Sequence, residues 1–173
     1  TITAIDQTKV YGAADPALAV SYSGFVNGDS ESDLGGILNI RRSTGESVGN
    51  YVISASGATS TNYDITYIDE NFEITPAALA ITAIDQTKVY GTVDPALTVG
   101  YSGFENGDSE SDLGGILNIS RTTGESVGSY VISASDLTSM NYDITYFDGN
   151  FEITHASQTI TFNPLPVLNL ESD

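Results

Sequence analysis

The sequence contains no cysteine, a single histidine and only five basic residues among its 173 residues. Without cysteine the chain can form no disulfide and offers no thiol nucleophile, and zinc sites built from cysteine and histidine are excluded. A Ser-His-Asp triad would have to use the one histidine, His155. Because phosphate binding needs clustered Lys and Arg, nucleic acid is disfavoured as a partner.

Acidic residues are abundant by contrast, with 23 Asp and Glu and a formal net charge of −18. This charge disfavours anionic membrane surfaces and suits a solvated surface in salty or calcium-containing water, where counterions screen the self-repulsion. No stretch approaches the roughly 20 apolar residues of a membrane span, so we expect no membrane insertion.

No residue pattern in the chain points to catalysis. The glycine pair Gly35-Gly36 lacks the spacing and the lysine of a phosphate-binding loop. A carboxylate pair like that of glycosidases is available by residue type, but a thin module offers no obvious cleft. We therefore predict that the protein is not an enzyme and requires no cofactor, with calcium as the one candidate ion.

An internal repeat dominates the sequence: residues 2–75 recur at 81–154 without insertion, and 61 of the 74 aligned positions are identical. A period this long, with strand-like content, indicates one small domain per repeat. The predicted organisation is a first module at 1–76, a second at 77–155, and the start of a following module or a tail at 156–173. Thr1 is expected to be a cut at a module boundary of a longer protein.

Strand signals dominate each module. Leu18, Val20 and Tyr22 alternate with small residues, which is typical of a half-buried strand, and five or six such runs are present per module. Asp29 can cap a short helical segment that Gly35-Gly36 ends. The predicted fold class is mostly β: two tandem small modules that are β-grasp-like, with an immunoglobulin-like β-sandwich as the alternative.

The segment Thr75-Pro76-Ala77-Ala78 joins the modules and is too short and apolar to behave as a flexible linker. We expect the last strand of one module to lead directly into the first strand of the next, with the two chain ends of a module on opposite sides. This arrangement predicts a semi-rigid rod. Residues 156–162 are predicted to be the first strand of a third unit of another type.

Several motifs, in this order, resemble the MBG repeats of the YGX type, which occur in tandem in large bacterial surface proteins, including adhesins. They are Lys9-Val10-Tyr11-Gly12, Asp15-Pro16-Ala17-Leu18, Gly24-Phe25-Val26-Asn27-Gly28-Asp29, Gly45-Glu46-Ser47-Val48-Gly49-Asn50-Tyr51 and Asn62-Tyr63-Asp64-Ile65. The segment 157–162 also resembles the opening of a related repeat in such proteins. The resemblance implies an extracellular, mostly-β building block at the bacterial cell surface, with neighbouring modules of the same chain as partners and no catalytic residue set.

One acidic triplet per module is the candidate metal site. The triplets have the alternating spacing at which oxygen ligands of a calcium loop converge, and their residues are Asp29, Glu31 and Asp33, with Asp108, Glu110 and Asp112 in the second copy. However, Leu34 lies where an EF-hand requires Gly, and Ile40 where it requires Glu. If the segment is helical, the three carboxylates diverge and belong to a capped, solvated turn. A calcium site formed by Asp69 and Glu70 at a module junction is a further alternative.

Lysines and tyrosines offer two more candidate sites. Lys9 and Lys88, the only lysines, could crosslink to Asn71 and Asn150 through isopeptide bonds; the alternative is an exposed lysine paired with an acid.

The ten tyrosines, five per module, could form a glycan-stacking platform, although alternating tyrosines in strands more often pack against neighbouring strands.

Taken together, these patterns predict a non-catalytic tandem-repeat segment of a bacterial surface adhesin that acts as a semi-rigid extracellular spacer. The alternative is a calcium-dependent binding module for a surface glycan or a partner protein. We expect a monomer; self-association through exposed strand edges is a third hypothesis.

Overall fold

The first repeat folds into seven short strands, as seen in a computed structural model that describes residues 1–164 of the protein. The strands are β1 (Ile2–Ala4), β2 (Gln7–Val10), β3 (Val20–Tyr22), β4 (Gly35–Arg42), β5 (Gly49–Thr59), β6 (Tyr67–Ile68) and β7 (Glu70–Thr75). One turn of 3-10 helix, Glu31–Asp33, precedes β4.

The second repeat has the same plan. Its strands are β8 (Ala77–Ala83), β9 (Gln86–Val89), β10 (Val99–Ser102), β11 (Gly114–Arg121), β12 (Gly128–Thr138), β13 (Tyr142–Phe147) and β14 (Gly149–Thr154). Its 3-10 turn is Glu110–Asp112.

Each module contains a three-stranded and a four-stranded sheet, ordered β3-β1-β6 and β2-β7-β5-β4 in the first module. The predicted first strand is divided, because the chain leaves one sheet after Ala4 and joins the other at Gln7. At this crossing the exposed Asp6 accepts a hydrogen bond at 2.8 Å from the backbone N–H of Asn71. β1 pairs with β6, and β2 with β7, in parallel; the other neighbours are antiparallel.

The core of the first module comes from strands with alternating burial. Ile53, Phe72 and Ile74 are fully buried, whereas the residues between Phe72 and Ile74 and on either side of them face outward or are half-buried. The 3-10 turn buries no residue, so the apolar face of each sheet packs mainly against the other sheet. The prediction of two tandem, mostly-β modules with one short helical segment is confirmed, while the choice between the β-grasp-like and immunoglobulin-like subtypes stays a prediction.

The strand predicted at 156–162 is not formed in the described part of the chain, and its place in a following module stays a prediction. Residues 155–164 have no regular secondary structure and are exposed. A strand requires a partner with which to exchange backbone hydrogen bonds, and no element in the described part of the chain lies beside this segment as a sheet neighbour. The remainder of the predicted tail, 165–173, lies outside the described residues. Among the residues that are described, no helix is long and apolar enough to cross a membrane.

Candidate functional site: the junction between the modules

A tyrosine of the first module is buried against the second. Tyr11 is only 8% exposed, and its hydroxyl donates a hydrogen bond at 2.9 Å to Oδ2 of Asp108. Its ring meets that of Tyr142 edge-on, with 5.4 Å between the centroids. Tyr142 in turn donates to the same Oδ2 at 2.7 Å, so the Asp108 carboxylate accepts one hydrogen bond from each module.

Local backbone structure brings Tyr11 to this position. Tyr11 directly follows β2, and its N–H donates to the carbonyl of Thr75 at 2.8 Å, which extends the pairing of β2 with β7. The next residue, Gly12, has φ of +83°, in the region that favours glycine. A Cβ on Gly12 would lie 2.4 Å from Cβ of Glu105 in the second module, so no larger residue fits without displacement.

The connection between the modules is one residue long, because β7 ends at Thr75 and β8 begins at Ala77. Ala77 and Leu79 are buried and belong to a core cluster that also contains Phe72 and Tyr142. The prediction that one strand leads directly into the next is correct. The hydrophobic core therefore continues across the junction.

A further backbone contact joins the loop before β5 to the second module. The N–H of Val48 donates to Oδ1 of Asn141 at 3.1 Å. Together with the Tyr11 hydroxyl, this gives the junction two directional hydrogen bonds around its apolar centre, which fix orientation as well as distance.

A second feature, four alternating charges, lies within each module. In the first, Lys9 and Arg42 both contact Asp15 and Glu46: Lys9 lies 2.7 Å and Arg42 2.5 Å from Asp15, and both pair with Glu46. The side chains of the cations are only 5% and 9% exposed, whereas that of Glu46 is 61% exposed. In this cluster, the more exposed carboxylates therefore cover two buried cations.

Arg42 is held by more than charge. Its guanidinium lies 4.8 Å from the centroid of Phe72 and 5.5 Å from that of Tyr51, and it donates to the carbonyls of Ser43 and Gly45 at 2.9 and 2.7 Å. A planar guanidinium can stack on rings and donate in its own plane at once, which a lysine cannot do.

These contacts change the acidity of the carboxylates. Hydrogen bonds from Arg42 and then from Lys9 lower the pKa of Asp15 to about 2. The pKa of Glu46 is lowered chiefly by Lys9 and also by Arg42. The pKa of Lys9 is raised because hydrogen bonds to Asp15 and Glu46 outweigh the effect of burial, which alone would lower it.

The same cluster recurs in the second module with Lys88, Asp94, Arg121 and Glu125, at distances between 2.5 and 2.6 Å. The two clusters contain four of the five basic residues of the chain, and Arg41 is the fifth. Because each cluster is neutral, almost the whole net charge of the protein belongs to its other acidic side chains.

The acidic triplet of the first module does not converge on one point. Asp29 accepts a hydrogen bond from the Tyr63 hydroxyl at 2.6 Å, and Asp33 accepts one from the backbone N–H of Ser30 at 2.8 Å. Glu31 is exposed in the 3-10 turn. The three carboxylates therefore have separate surroundings, as expected for a capped turn.

The second triplet behaves in the same way. Asp108 binds the two tyrosines of the junction, Asp112 accepts from the N–H of Ser109 at 2.9 Å, and Glu110 lies near Tyr101. Burial, with a smaller contribution from Glu110, raises the pKa of Tyr101 to about 12. Over residues 1–164 no three acidic or histidine side chains are grouped so that they could hold a metal ion.

The alternative site at Asp69 and Glu70 is not at the junction. Glu70 is the first residue of β7 and Thr75 is the last. At about 3.3 Å per residue, Glu70 lies on the order of 17 Å from the connection to the second module.

The structure does not place Lys9 beside Asn71. The register of β2 and β7 pairs Lys9 with Ile74, which puts Asn71 on the order of 10 Å further along its strand. Lys9 faces inward and Asn71 outward, and Asn71 Nδ2 instead donates to Asn50 at 3.0 Å. The isopeptide prediction is thus not supported by this geometry; the lysine is ion-paired as the alternative predicts, but it is buried rather than exposed.

The tyrosines of a module serve separate contacts instead of a shared platform. Tyr51 donates to the carbonyl of Ser47 at 2.8 Å, and Tyr67 donates to that of Ala58 at 3.1 Å. Tyr11 is buried in the junction. These positions fit the packing alternative better than a stacking surface for a glycan.

A family model for the MBG domain (YGX type) matches residues 1–73 and, separately, residues 79–152. The chain belongs to the MBG domain family. The resemblance noted in the sequence is thereby confirmed, with two tandem copies. MBG domains are a non-enzymatic repeat family associated with extracellular surface proteins. No curated protein sequence matches the chain.

Sequence reasoning missed the charge clusters and the role of Tyr11 in this MBG pair. One signal for the clusters was present, since four of the five basic residues recur at equivalent positions of the two copies. For Tyr11 there was none, because its partner Asp108 is 97 residues away and lies in the other module.

Proposed function

We propose that this MBG pair is a structural segment of a bacterial surface adhesin and acts as a semi-rigid extracellular spacer. The observation that carries the proposal is the junction: one connecting residue, a core that continues from Phe72 through Ala77 to Tyr142, and a hydrogen bond from Tyr11 to Asp108. A packed contact of this kind limits bending between the modules. A flexible polar linker without such a contact would leave the two modules free to reorient.

Strand order supports the same proposal. β2 lies near the start of the first module, β7 ends it, and the two pair in parallel with Gln7 opposite Phe72 and Val10 opposite Thr75. In a parallel pair the start of one strand and the end of the other lie at opposite ends of the ladder. Tension along the chain therefore loads these hydrogen bonds together instead of opening them one at a time.

The neutral clusters fit a segment that must stay folded and soluble outside the cell. With Lys9 and Arg42 already paired, the cluster leaves a net negative surface, and a large net charge keeps proteins soluble and apart. The acidity thus has a role that needs no bound ligand.

The proposal is tested by measuring the distance between one spin label in each module. Val52 and Val131 are exposed counterparts on β5 and β12, and the chain has no native cysteine, so a Val52→Cys/Val131→Cys variant takes two labels cleanly. We expect a narrow distance distribution. A variant with Gly and Ser residues inserted after Pro76 is the control for a flexible connection.

A distribution as broad as that of the Gly-Ser control would overturn the spacer proposal. The measurement is repeated with calcium, with magnesium at equal ionic strength, and with chelator. If only calcium narrows the distribution or shifts its mean, the alternative of a calcium-dependent module is favoured; equal responses to both ions indicate charge screening.

A further inference from the structure

Asn106 and Gly107 are the two central residues of a tight turn beside the junction. The N–H of Asp108 donates to the carbonyl of Glu105 at 2.9 Å and closes this turn. The φ angles of Asn106 and Gly107 are +54° and +83°, and positive values at both central residues are typical of a type I′ turn. Asparagine and glycine adopt such angles more readily than other residues, so the sequence and the backbone agree.

The same turn positions groups that form the junction. Asp108, at its end, accepts the hydrogen bonds of Tyr11 and Tyr142. Glu105, at its start, donates its N–H to the Tyr142 hydroxyl at 2.9 Å and lies where a Cβ on Gly12 would meet its side chain. A change in the length of the turn would therefore move groups that contact the first module.

The reactive groups of Asn106 and Gly107 are accessible to each other and to water. Both residues are exposed, and a Cβ on Gly107 would meet nothing within 4 Å. Over residues 1–164 the side chain of Asn106 forms no hydrogen bond, and the N–H of Gly107 has no acceptor. Neither group must therefore break a hydrogen bond before it reacts.

A main-chain nitrogen that follows asparagine can attack the side-chain amide, and glycine permits this best because no Cβ shields its nitrogen. A bond forms between the nitrogen of Gly107 and Cγ of Asn106. The bond from Cγ to Nδ2 breaks, and ammonia leaves with the proton of the attacking nitrogen. The product is a five-membered cyclic imide, and no atom is oxidised or reduced.

Water then opens the ring at one of its two carbonyl carbons. Addition at Cγ breaks the new bond and gives aspartate at position 106. Addition at the main-chain carbonyl breaks the original peptide bond and gives isoaspartate, in which the backbone runs through Cβ and Cγ. Isoaspartate therefore adds one carbon to the backbone, and the net reaction exchanges ammonia for water.

We propose that Asn106 is a site of spontaneous isoaspartate formation and that this modification loosens the junction. Aspartate at 106 keeps the turn, because it tolerates positive φ as asparagine does. Isoaspartate lengthens the turn, so the N–H of Asp108 no longer meets the carbonyl of Glu105, and the Asp108 carboxylate moves away from Tyr11. The inference rests on the rigid junction of the spacer proposal and adds a chemical limit to how long that rigidity lasts.

The first module contains a second reactive pair that serves as a comparison. Asn27 and Gly28 have φ of +59° and +86° and are also exposed, so Asn27 should react too. The turn that contains them makes its hydrogen bonds to Tyr63 of its own module. Isoaspartate at position 27 should therefore leave the junction between the two modules unchanged.

Two strand asparagines are internal controls for the chemistry. Asn71 and Asn150 are exposed, but the nitrogen that follows each of them belongs to a fully buried residue, Phe72 or Phe151, within a strand. These nitrogens cannot reach the preceding amide without opening the sheet. We expect no reaction at either asparagine while the protein is folded.

The full chain is aged in warm, mildly alkaline buffer, digested and mapped by mass spectrometry. Peptides with Asn27 and Asn106 should gain the mass difference between water and ammonia, whereas those with Asn71 and Asn150 should not. Fragmentation that distinguishes isoaspartate from aspartate identifies the product at position 106.

Two matched variants link the modification to the junction. Asn27→Gly leaves position 106 as the reactive turn, and Asn106→Gly leaves position 27; glycine accepts the positive φ at both. Each is combined with Val52→Cys/Val131→Cys, aged with reductant and then spin-labelled. The distance distribution should broaden on ageing for Asn27→Gly and stay narrow for Asn106→Gly.

Three results would overturn the inference: no isoaspartate at position 106 after ageing, isoaspartate there with an unchanged distance distribution, or equal broadening in the two variants. Each can occur while unaged protein gives a narrow distribution, in which case the spacer proposal stands. A distribution that is already broad before ageing would overturn the spacer proposal and the loosening together, whereas the peptide map reports on the reaction by itself.

Discussion

The hydroxyl of Tyr11 lies 2.9 Å from Oδ2 of Asp108 and donates a hydrogen bond to it from one module to the other. The repeat supplies a natural comparison, because the counterpart of Tyr11 is Tyr90, which is largely exposed. The same substitution at the two positions changes the same chemical group with and without the junction. The difference between the two effects isolates what the junction contributes.

The first prediction concerns this hydroxyl. Tyr11→Phe keeps the ring against Tyr142 but removes the hydrogen bond to a charged acceptor, and the free energy of unfolding should fall by about 1–2 kcal/mol. Tyr90→Phe should change it by less than about 0.5 kcal/mol. Equilibrium urea unfolding measures both. Equal losses at the two positions would contradict an energetic role for the bond across the junction.

The second prediction concerns Gly12 and its counterpart Gly91, whose φ angles of +83° and +84° are nearly the same. Alanine at either position should cost about 1 kcal/mol for the left-handed backbone. Gly12→Ala should cost about 1–3 kcal/mol more, since the new Cβ meets that of Glu105 and the modules must separate slightly. Thermal melts of the two variants measure the two losses of stability. Equal losses would mean that the junction accommodates the new Cβ at Gly12 without cost.

Local patterns in the sequence were sufficient to predict most elements of each module, although five or six strands were expected and seven are present. The alternation through Val20 and Tyr22 lies on β3, and the helical segment expected between Asp29 and Gly35 is the 3-10 turn Glu31–Asp33. Both signals depend on neighbouring residues only. The duplication likewise required only comparison of the sequence with itself.

Features that depend on distant pairing could not be predicted in this way. The first strand divides between two sheets at Ile5 and Asp6, a change that alternation alone does not reveal. The acidic triplet has calcium-like spacing, but the partner of Asp29 is Tyr63, 34 residues away. Spacing along the chain shows which residue types are near each other, whereas the direction of each side chain is set by contacts that form only in the folded module.

The third prediction concerns Arg42. A lysine at this position would keep the positive charge but not the planar shape of the guanidinium. Arg42→Lys loses the contact with Phe72 and at least one hydrogen bond to the carbonyls of Ser43 and Gly45, so the free energy of unfolding should fall by about 2–3 kcal/mol. Arg121→Lys should have a similar effect through the second module. Arg41→Lys, at an exposed neighbouring position, is the control and should stay within about 0.5 kcal/mol of the wild type in urea unfolding.

The fourth prediction concerns the stability of the protein at low pH. The hydrogen bonds of Arg42 and Lys9 lower the pKa of Asp15 to about 2 from an ordinary value of 3.8, and Arg121 and Lys88 do the same for Asp94. Since the folded protein binds the proton less readily than the unfolded chain, this stabilisation is fully present above about pH 4 and is lost as the pH falls towards about 2.

The exposed carboxylates outside the two charge clusters have the opposite effect on stability when the pH first falls below neutral. Protonation of exposed carboxylates reduces the repulsion that accompanies a net charge of −18, so stability should rise as the pH falls from neutral. The two effects together predict a maximum near about pH 4–5 and a steep loss below it. Asp15→Asn should lower stability at neutral pH and make the loss below the maximum shallower, because one of the two strongly acidic groups is gone. Exposed Asp64→Asn should leave the shape of the profile unchanged, and a profile that Asp15→Asn also leaves unchanged would show that the clusters do not govern acid unfolding.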